Sequence, residues 1–377
     1  MRILGTNAAE TLTGTGEADQ IFGFDGIDTL IGGGGNDLLV GGRGADRLDG
    51  GEGIDTASYE GSAIGVFVTL VTGRGYDGDA QGDTLVSIEN LRGSSQADLL
   101  IGNDGANTIF GGHGDDTIAG GGGDDRLFGR DVGAVAGDGN DNLKGGGGFD
   151  MLYGGDGDDM LDGGTEVDWL YGEGGNDTYI VDNVGDFVWE WTGGGFDTVK
   201  ASVSYALAAS SEVEILRTTD DAGTSAIDLT GNEFANRIIG NDGANNILGA
   251  GGRDRLEGGG NNDRLIGGAQ SDDLYGGTGA DHFTYSSVDD SNSTTGVDNI
   301  FDFNALEGDQ IDLRAIDADG NAANGDQAFA YAAGGVFHHV AGELRYAGGF
   351  LEGDVNGDGT ADLSIRVNVD PSGHILL

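Results

Sequence analysis

Aspartate recurs along this chain at nine-residue intervals, and the residues around it are those that could hold a hard cation. Asp19, Asp28, Asp37, Asp46 and Asp55 form one series. Asp98, Asp116, Asp125, Asp141, Asp150, Asp159, Asp168 and Asp177 form a second, and Asp254, Asp263, Asp272 and Asp281 a third. Glu10, Asn107, Asn236 and Asn245 stand in the same phase. The pattern is clearest in Gly32-Gly33-Gly34-Gly35-Asn36-Asp37, a glycine-rich hexapeptide closed by the acid and followed two places later by apolar Leu39. Glycine runs permit positive φ and close backbone approach, so carbonyl oxygens can converge beside the carboxylate. Calcium takes about six to eight such oxygens. One hexapeptide cannot supply them, whereas stacked turns can share an ion.

Turns of this kind need regular elements to hold them. The full period reads G-G-x-G-x-D-x-U-x, strict from Gly32, Gly41, Gly50, Gly111, Gly120, Gly145, Gly154 and Gly276. Its x-U-x triplet is a strand too short to stand alone, and U (Ile21, Leu30, Leu39, Leu48) must point to an interior that only stacking creates. Cut at this period, the chain falls into repeat blocks at 5–58, 93–180 and 231–284, with a seven-residue insertion at 129–135. Segments 59–92 and 181–230 read as β insertions. Their strands are expected at Val66-Phe67-Val68-Thr69-Leu70, Thr84-Leu85-Val86-Ser87-Ile88, around Asp186 to Trp191 and around Thr198 to Val203, with a short helical turn near 206–211. From 285 the period is lost. Ile300-Phe301-Asp302-Phe303, Gln310-Ile311-Asp312-Leu313, Glu343-Leu344-Arg345-Tyr346 and Leu363-Ser364-Ile365-Arg366-Val367 predict a separate C-terminal β cap, 285–377.

Composition narrows the function classes. The 377 residues include 79 Gly, one Pro and no Cys, and the formal net charge is −49. Glycine without a three-residue period excludes collagen, and the lack of cysteine excludes disulfide staples. Asp outnumbers Glu, which suits turns and cation ligation better than helices. Lys occurs only at Lys144 and Lys200. No basic stripe can neutralise phosphate, so nucleic acid is not an expected partner. No apolar run approaches the ~20 residues of a membrane helix.

The nonapeptide is the established signature of calcium-binding parallel β-helices. Over most of 5–284 the chain resembles the repeat-in-toxin family of secreted bacterial proteins. That resemblance implies an all-β, right-handed parallel β-roll. Two nonapeptides would make one coil, with structural Ca2+ between a loop and the loop two repeats on. Carried over, Asp28 would pair with Asp46, Asp37 with Asp55, Asp150 with Asp168, and Asp116 with a neighbour displaced by the insertion. Residues 276–377 are similar to the C-terminal domain of serralysin-type metalloproteases. The matching stretches are Gly279-Ala280-Asp281-His282-Phe283, Asp309-Gln310-Ile311-Asp312-Leu313, Gly325-Asp326-Gln327-Ala328-Phe329, Ala341-Gly342-Glu343-Leu344-Arg345-Tyr346 and Gly353-Asp354-Val355-Asn356-Gly357-Asp358-Gly359. This likeness implies an uncleaved secretion signal read by a type I exporter. A start that runs from Met1-Arg2-Ile3-Leu4 straight into the first repeat agrees with that expectation, as does the apolar end Ile375-Leu376-Leu377.

Three weaker constellations remain. Asp354, Asn356 and Asp358, with Gly359 and Asp362, match the first half of an EF-hand-like loop, but Ile365 stands where the bidentate Glu belongs. They are a candidate calcium site, set against a plain Asp/Gly turn between strands. His338-His339 with Glu343 lacks helical spacing and a third ligand, and no H-E-x-x-H occurs, so no catalytic metal is expected. Trp189 and Trp191 alternate along a strand, as a sugar-stacking platform or as cover for a core. Together these readings point to a non-catalytic, calcium-folded extracellular module. Two alternatives stay open: the repeat-bearing part of a secreted hydrolase or alginate-modifying enzyme, and a cell-surface adhesin or polysaccharide binder.

Overall fold

The computed structural model describes residues 1–130, 139–321, 327–332 and 335–377. Residues 131–135 of the expected insertion, and Gly325-Asp326 of the serralysin-like stretches, lie outside them. The chain divides into two compact units, Met1–Asp197 and Thr198–Leu377.

In the first unit most x-U-x triplets join the glycines after them in one strand, such as Thr29–Gly34 or Leu38–Arg43, while Thr11–Thr13 and Leu99–Ile101 stop at the triplet. Nine residues complete half a coil, so successive strands fall in opposite sheets and each pairs with the strand a whole coil later. Thr29–Gly34 runs parallel to Arg47–Glu52 with Leu30 opposite Leu48, and Gln20–Asp25 runs parallel to Leu38–Arg43 with Ile21 opposite Leu39. The period-2 pleat turns U inward and its two neighbours outward. Ile21, Leu30, Leu39 and Leu48 are accordingly 0% exposed. The result is a parallel β-roll whose core is a single apolar row per sheet.

Segment 59–92 interrupts the period without interrupting the ladders. Thr84–Val86 lies beside Arg47–Glu52, and Asn90–Arg92 lies beside Thr56–Ser58. An antiparallel hairpin, Phe67–Thr69 with Arg74–Tyr76, carries the same sheet on to Leu99–Ile101. Beyond residue 138 the register resumes with Asn142 opposite Thr117. The first unit's other sheet ends at Phe187–Trp189, paired with Trp169–Gly174.

The second unit is built the same way. One ladder runs through Thr198–Ala201, Ile215–Thr218, Arg237–Ile239, Arg255–Gly260 and Asp273–Thr278. The other runs through Tyr205–Ala206, Leu229–Thr230, Asn246–Ala250, Arg264–Gly268 and His282–Thr284. The turn expected near 206–211 is not helical: Tyr205–Ala206 pairs as a strand with Leu229–Thr230, and the chain then turns through a bond from the Ser211 N–H to the Ala208 carbonyl at 3.3 Å, with Ser210 at φ 64°. Residues expected in a separate cap extend both ladders: Asp298–Ile300 continues the first and Gln310–Asp312 the second. Leu363–Val367 and Ile375–Leu376 then add one more strand to each. Two 3-10 turns occur at Gly78–Ala80 and Val288–Asp290, and among the described residues no helix is long and apolar enough to cross a membrane.

Candidate metal centre

One hydrogen bond repeats at the aspartate corners between strands. The Asp19 N–H donates to Asp37 Oδ1 at 2.8 Å, and those of Asp28 and Asp37 donate to Asp46 and Asp55 Oδ1 at 2.7 Å. Across the insertion Asp116 donates to Asp141 and Asp125 to Asp150. The series goes on with Asp141 to Asp159, Asp150 to Asp168 and Asp159 to Asp177. In the second unit Asp254 donates to Asp272 and Asp263 to Asp281. One carboxylate oxygen thus ties every such corner to the corner a coil earlier, and the pairs named from the sequence are brought together.

The second oxygen has no such role. Oδ2 of Asp28, Asp37, Asp46, Asp55, Asp116, Asp125, Asp150, Asp168, Asp177, Asp254, Asp263, Asp272 and Asp281 is buried and accepts no hydrogen bond. It faces other oxygens. A methyl group on Gly32 would lie 2.2 Å from Asp37 Oδ2 and 2.5 Å from the Gly50 carbonyl oxygen; on Gly145 it would lie 2.3 Å from Asp150 Oδ2 and 2.4 Å from the Gly163 oxygen. Only glycine leaves that space open.

Oxygen facing oxygen in a desolvated corner calls for positive charge between them. Burial is the main reason that the Asp46 and Asp150 carboxyls are pushed up to about 6, Asp125 and Asp168 to about 7, Asp254 to about 8 and Asp116 to about 9. The hydrogen bond onto Oδ1 opposes the shift, and neighbouring carboxylates add to it. Leaving a buried acceptor unpaired costs about 1–3 kcal/mol, and more when it is charged. The corner therefore binds a proton or a cation. A donor set of carboxylate and carbonyl oxygens, without nitrogen or sulfur, fits calcium. Bound there, calcium would supply the positive charge that the facing oxygens lack.

The profile of the RTX calcium-binding nonapeptide repeat matches residues 4–26, 22–57, 92–129, 135–168, 161–188, 230–265, 248–283 and 257–291, more than half of the chain. The chain belongs to the RTX calcium-binding repeat family. No curated protein matches it.

Corners of this RTX chain are not all alike. Asn107, Asn236 and Asn245 complete themselves: each oxygen accepts an N–H of its own loop, from Asn103, Asn232 and Asn241. Each side-chain NH2 donates to a carbonyl on an earlier coil, of Glu89, Val213 and Ile227. Asp98 and Asp19 are also served by protein donors. Ser94 bonds to Asp98 through N–H and hydroxyl, with Val66 N–H as a third donor, and Thr15 does the same for Asp19 Oδ2. The cause is visible in the sequence, since Thr15 and Ser94 bring a hydroxyl to the second glycine position, whereas Phe24, Glu173 and Ala250 there keep positive φ and leave Oδ2 of Asp28, Asp177 and Asp254 unpaired.

Several acids outside the nonapeptides hold the same structural position. Asp83, Asp186, Asp197, Asp298 and Asp309 accept the N–H of Asp46, Asp168, Asp177, Asp272 and Asp281. Each is followed two residues later by Val, Ile or Leu. The D-x-U half of the repeat, without its glycines, is the signal that would have found them.

The remaining candidates are placed as follows. In the EF-hand-like loop, Asp354 accepts the N–H groups of Gly357 and Gly359, Asp358 that of Thr360, and Asn356 that of Asp358. Their oxygens are engaged by the turn between Phe350–Asp354 and Leu363–Val367, which pair antiparallel. His338 Nδ1 lies 2.8 Å from Glu343 Oε1. Trp189 continues a row of half-buried rings, Phe110, Phe128, Tyr153 and Tyr171, stacked at 4.7–4.9 Å with planes within 11°. The faces of those four rings cover one another, and Trp189, next in register beyond Tyr171, stacks on Phe187 at 5.9 Å. Trp191, at 62% exposure, stands edge-on to Trp189.

Proposed function

We propose that this RTX chain is a secreted, non-catalytic module whose coils are assembled by calcium. The supporting observation is the repeated buried Oδ2, which has no protein donor at corner after corner and which only a cation or a proton can satisfy. Calcium here is structural. Its ligands are the position-six carboxylates and the facing glycine carbonyls, and its work is to join coils whose apolar core is one side chain deep. Extracellular modules bind calcium at about 10⁻⁴–10⁻³ M. The chain would stay unfolded in a low-calcium cytosol, pass a type I exporter through its C-terminal segment, and fold outside. The serralysin-like stretches in 276–377 motivate the exporter. Circular dichroism decides the folding half: the β signal should be weak in chelator and appear with millimolar calcium, and an equal signal in both would end the proposal. Co-expression with a type I exporter, with and without residues 285–377, decides the secretion half.

A further inference from the structure

The last coil of the first unit departs from the repeat where its acidic side chains meet. One coil on from Gly172, the residue that would offer a glycine carbonyl is Glu190, which brings a side chain instead. A methyl group on Gly172 would lie 2.1 Å from Asp177 Oδ2 and 2.4 Å from Glu190 Oε1, the place held by a carbonyl oxygen at Gly154. Asp197 closes the same coil and accepts the Asp177 N–H at 2.8 Å. One oxygen from each of Asp177, Glu190 and Asp197 lies within 4.8 Å of the others, and all three residues are buried. Asp177 is 1% exposed, and its Oδ2 points into this group without a hydrogen-bond partner. The buried Tyr179 donates its O–H to Glu190 Oε1, which fixes the glutamate in place.

We propose that Asp177, Glu190 and Asp197 form a cation site of their own, outside the nonapeptide pattern, which takes a hard divalent ion of calcium type before the repeat corners do. Three carboxylates so close and so dry cannot all stay ionised unless a cation joins them. The affinity of oxygen-ligand sites rises with their charged ligands, and this corner has three carboxylates where the Gly154 corner has two, Asp159 and its coil partner Asp177, with a carbonyl in place of the third. A filled site here fixes the terminal coil of a quasi-one-dimensional array, which gives the preceding coils an ordered edge to stack on.

The inference rests on the calcium-binding reading of the repeats, and the test separates the two. Calcium bound by the full chain is counted by equilibrium dialysis while circular dichroism follows folding, in the wild type, E190Q and D37N. E190Q should lose one ion and weaken the tightest phase about tenfold, since charged ligands set affinity. D37N should spare that phase and lose an ion from a weaker one. If E190Q does not fold, terbium alone at one equivalent decides: its tyrosine-sensitised emission should fall at least twofold in Y179F, where the carboxylates are intact. An unchanged first phase and ion count in E190Q, or undiminished emission in Y179F, overturns the site. A wild-type chain that binds no calcium refutes the repeat reading instead.

Discussion

Asp150 and Asn245 stand in the same phase of the same repeat, and their corners are chemically opposite. Asp150 accepts the Asp125 N–H at 2.7 Å through one oxygen, while the other is buried opposite the Gly163 carbonyl. Asn245 accepts the Asn241 N–H and donates to the Ile227 carbonyl, both at 2.9 Å, a distance typical of full hydrogen bonds. Exchanging one oxygen for NH2 turns a corner that calls for a cation into one that is complete. The demand for calcium is therefore a property of each corner's donors. Strand pairing and the inward U residue are common to both.

The largest effect follows from removing calcium altogether. In chelator the β signal should fall to a minor fraction of its calcium-loaded value, and hydrogen exchange should reveal the contrast within the remainder. Amides beside Asn236 and Asn245 should stay protected after those beside Asp116, Asp125 and Asp150 have exchanged. Equal protection at both kinds of corner would dissolve the comparison.

Protons should replace calcium in part. Burial raises Asp125, Asp168 and Asp263 to about 7, Asp254 to about 8 and Asp116 to about 9, from the ordinary 3.8. Between those limits the folded chain binds protons that the unfolded chain has released. Without calcium, stability is thus fully present below about pH 3.8 and is lost as pH rises through 7 to 9. A chelated sample taken from pH 9 to pH 5 should gain β structure, and its calcium midpoint should move to higher concentration. A β signal indifferent to pH in chelator would show that the corners are not what limits folding.

How much of this was legible beforehand depends on which atoms the period specifies. The nonapeptide names the carboxylate and the inward apolar residue, so Asp37, Leu39 and their coil partners could be placed from the sequence. It is silent where glycines are missing. Asp83 and Asp298 keep only its D-x-U half, with Leu85 and Ile300 as U, and reach corner positions through ladder pairing, 37 and 26 residues on from Asp46 and Asp272. Segments read as insertions or cap contain coils for the same reason: a parallel ladder is fixed by long-range pairing, and Thr84 finds Arg47 across 59–83 without any local periodicity. The turn near 206–211 forms only over 208–211 and not as a helix, since Tyr205–Ala206 takes a ladder partner. The state of a corner's second oxygen also depends on what stands one coil away, which spacing alone does not reveal.

A single exchange tests the comparison from both sides. Asp150→Asn should lower the calcium count by one and weaken the calcium-induced gain in stability, while raising stability in chelator by removing a buried carboxyl. Asn245→Asp should do the reverse. A net cost of about 1–3 kcal/mol in chelator, the penalty of one unpaired buried acceptor, is the expected size. Denaturant titrations of both variants, with and without calcium, read it directly. Shifts of the same sign in both variants would contradict the assignment.

The smallest calcium effect belongs to Asp98, which spacing alone ranks with the others. Both of its oxygens accept hydrogen bonds, from Val66 N–H, Ser94 N–H and the Ser94 hydroxyl. Asp98→Asn should leave calcium stoichiometry and midpoint unchanged. Any loss of stability should be equal in calcium and in chelator, because the groups it disturbs are protein donors. Ser94→Gly restores the repeat's own residue at the second position and removes the hydroxyl donor, so it should make the same corner modestly more responsive to calcium. If Asp98→Asn instead deletes a bound ion, satisfaction by protein donors is not what separates the two kinds of corner.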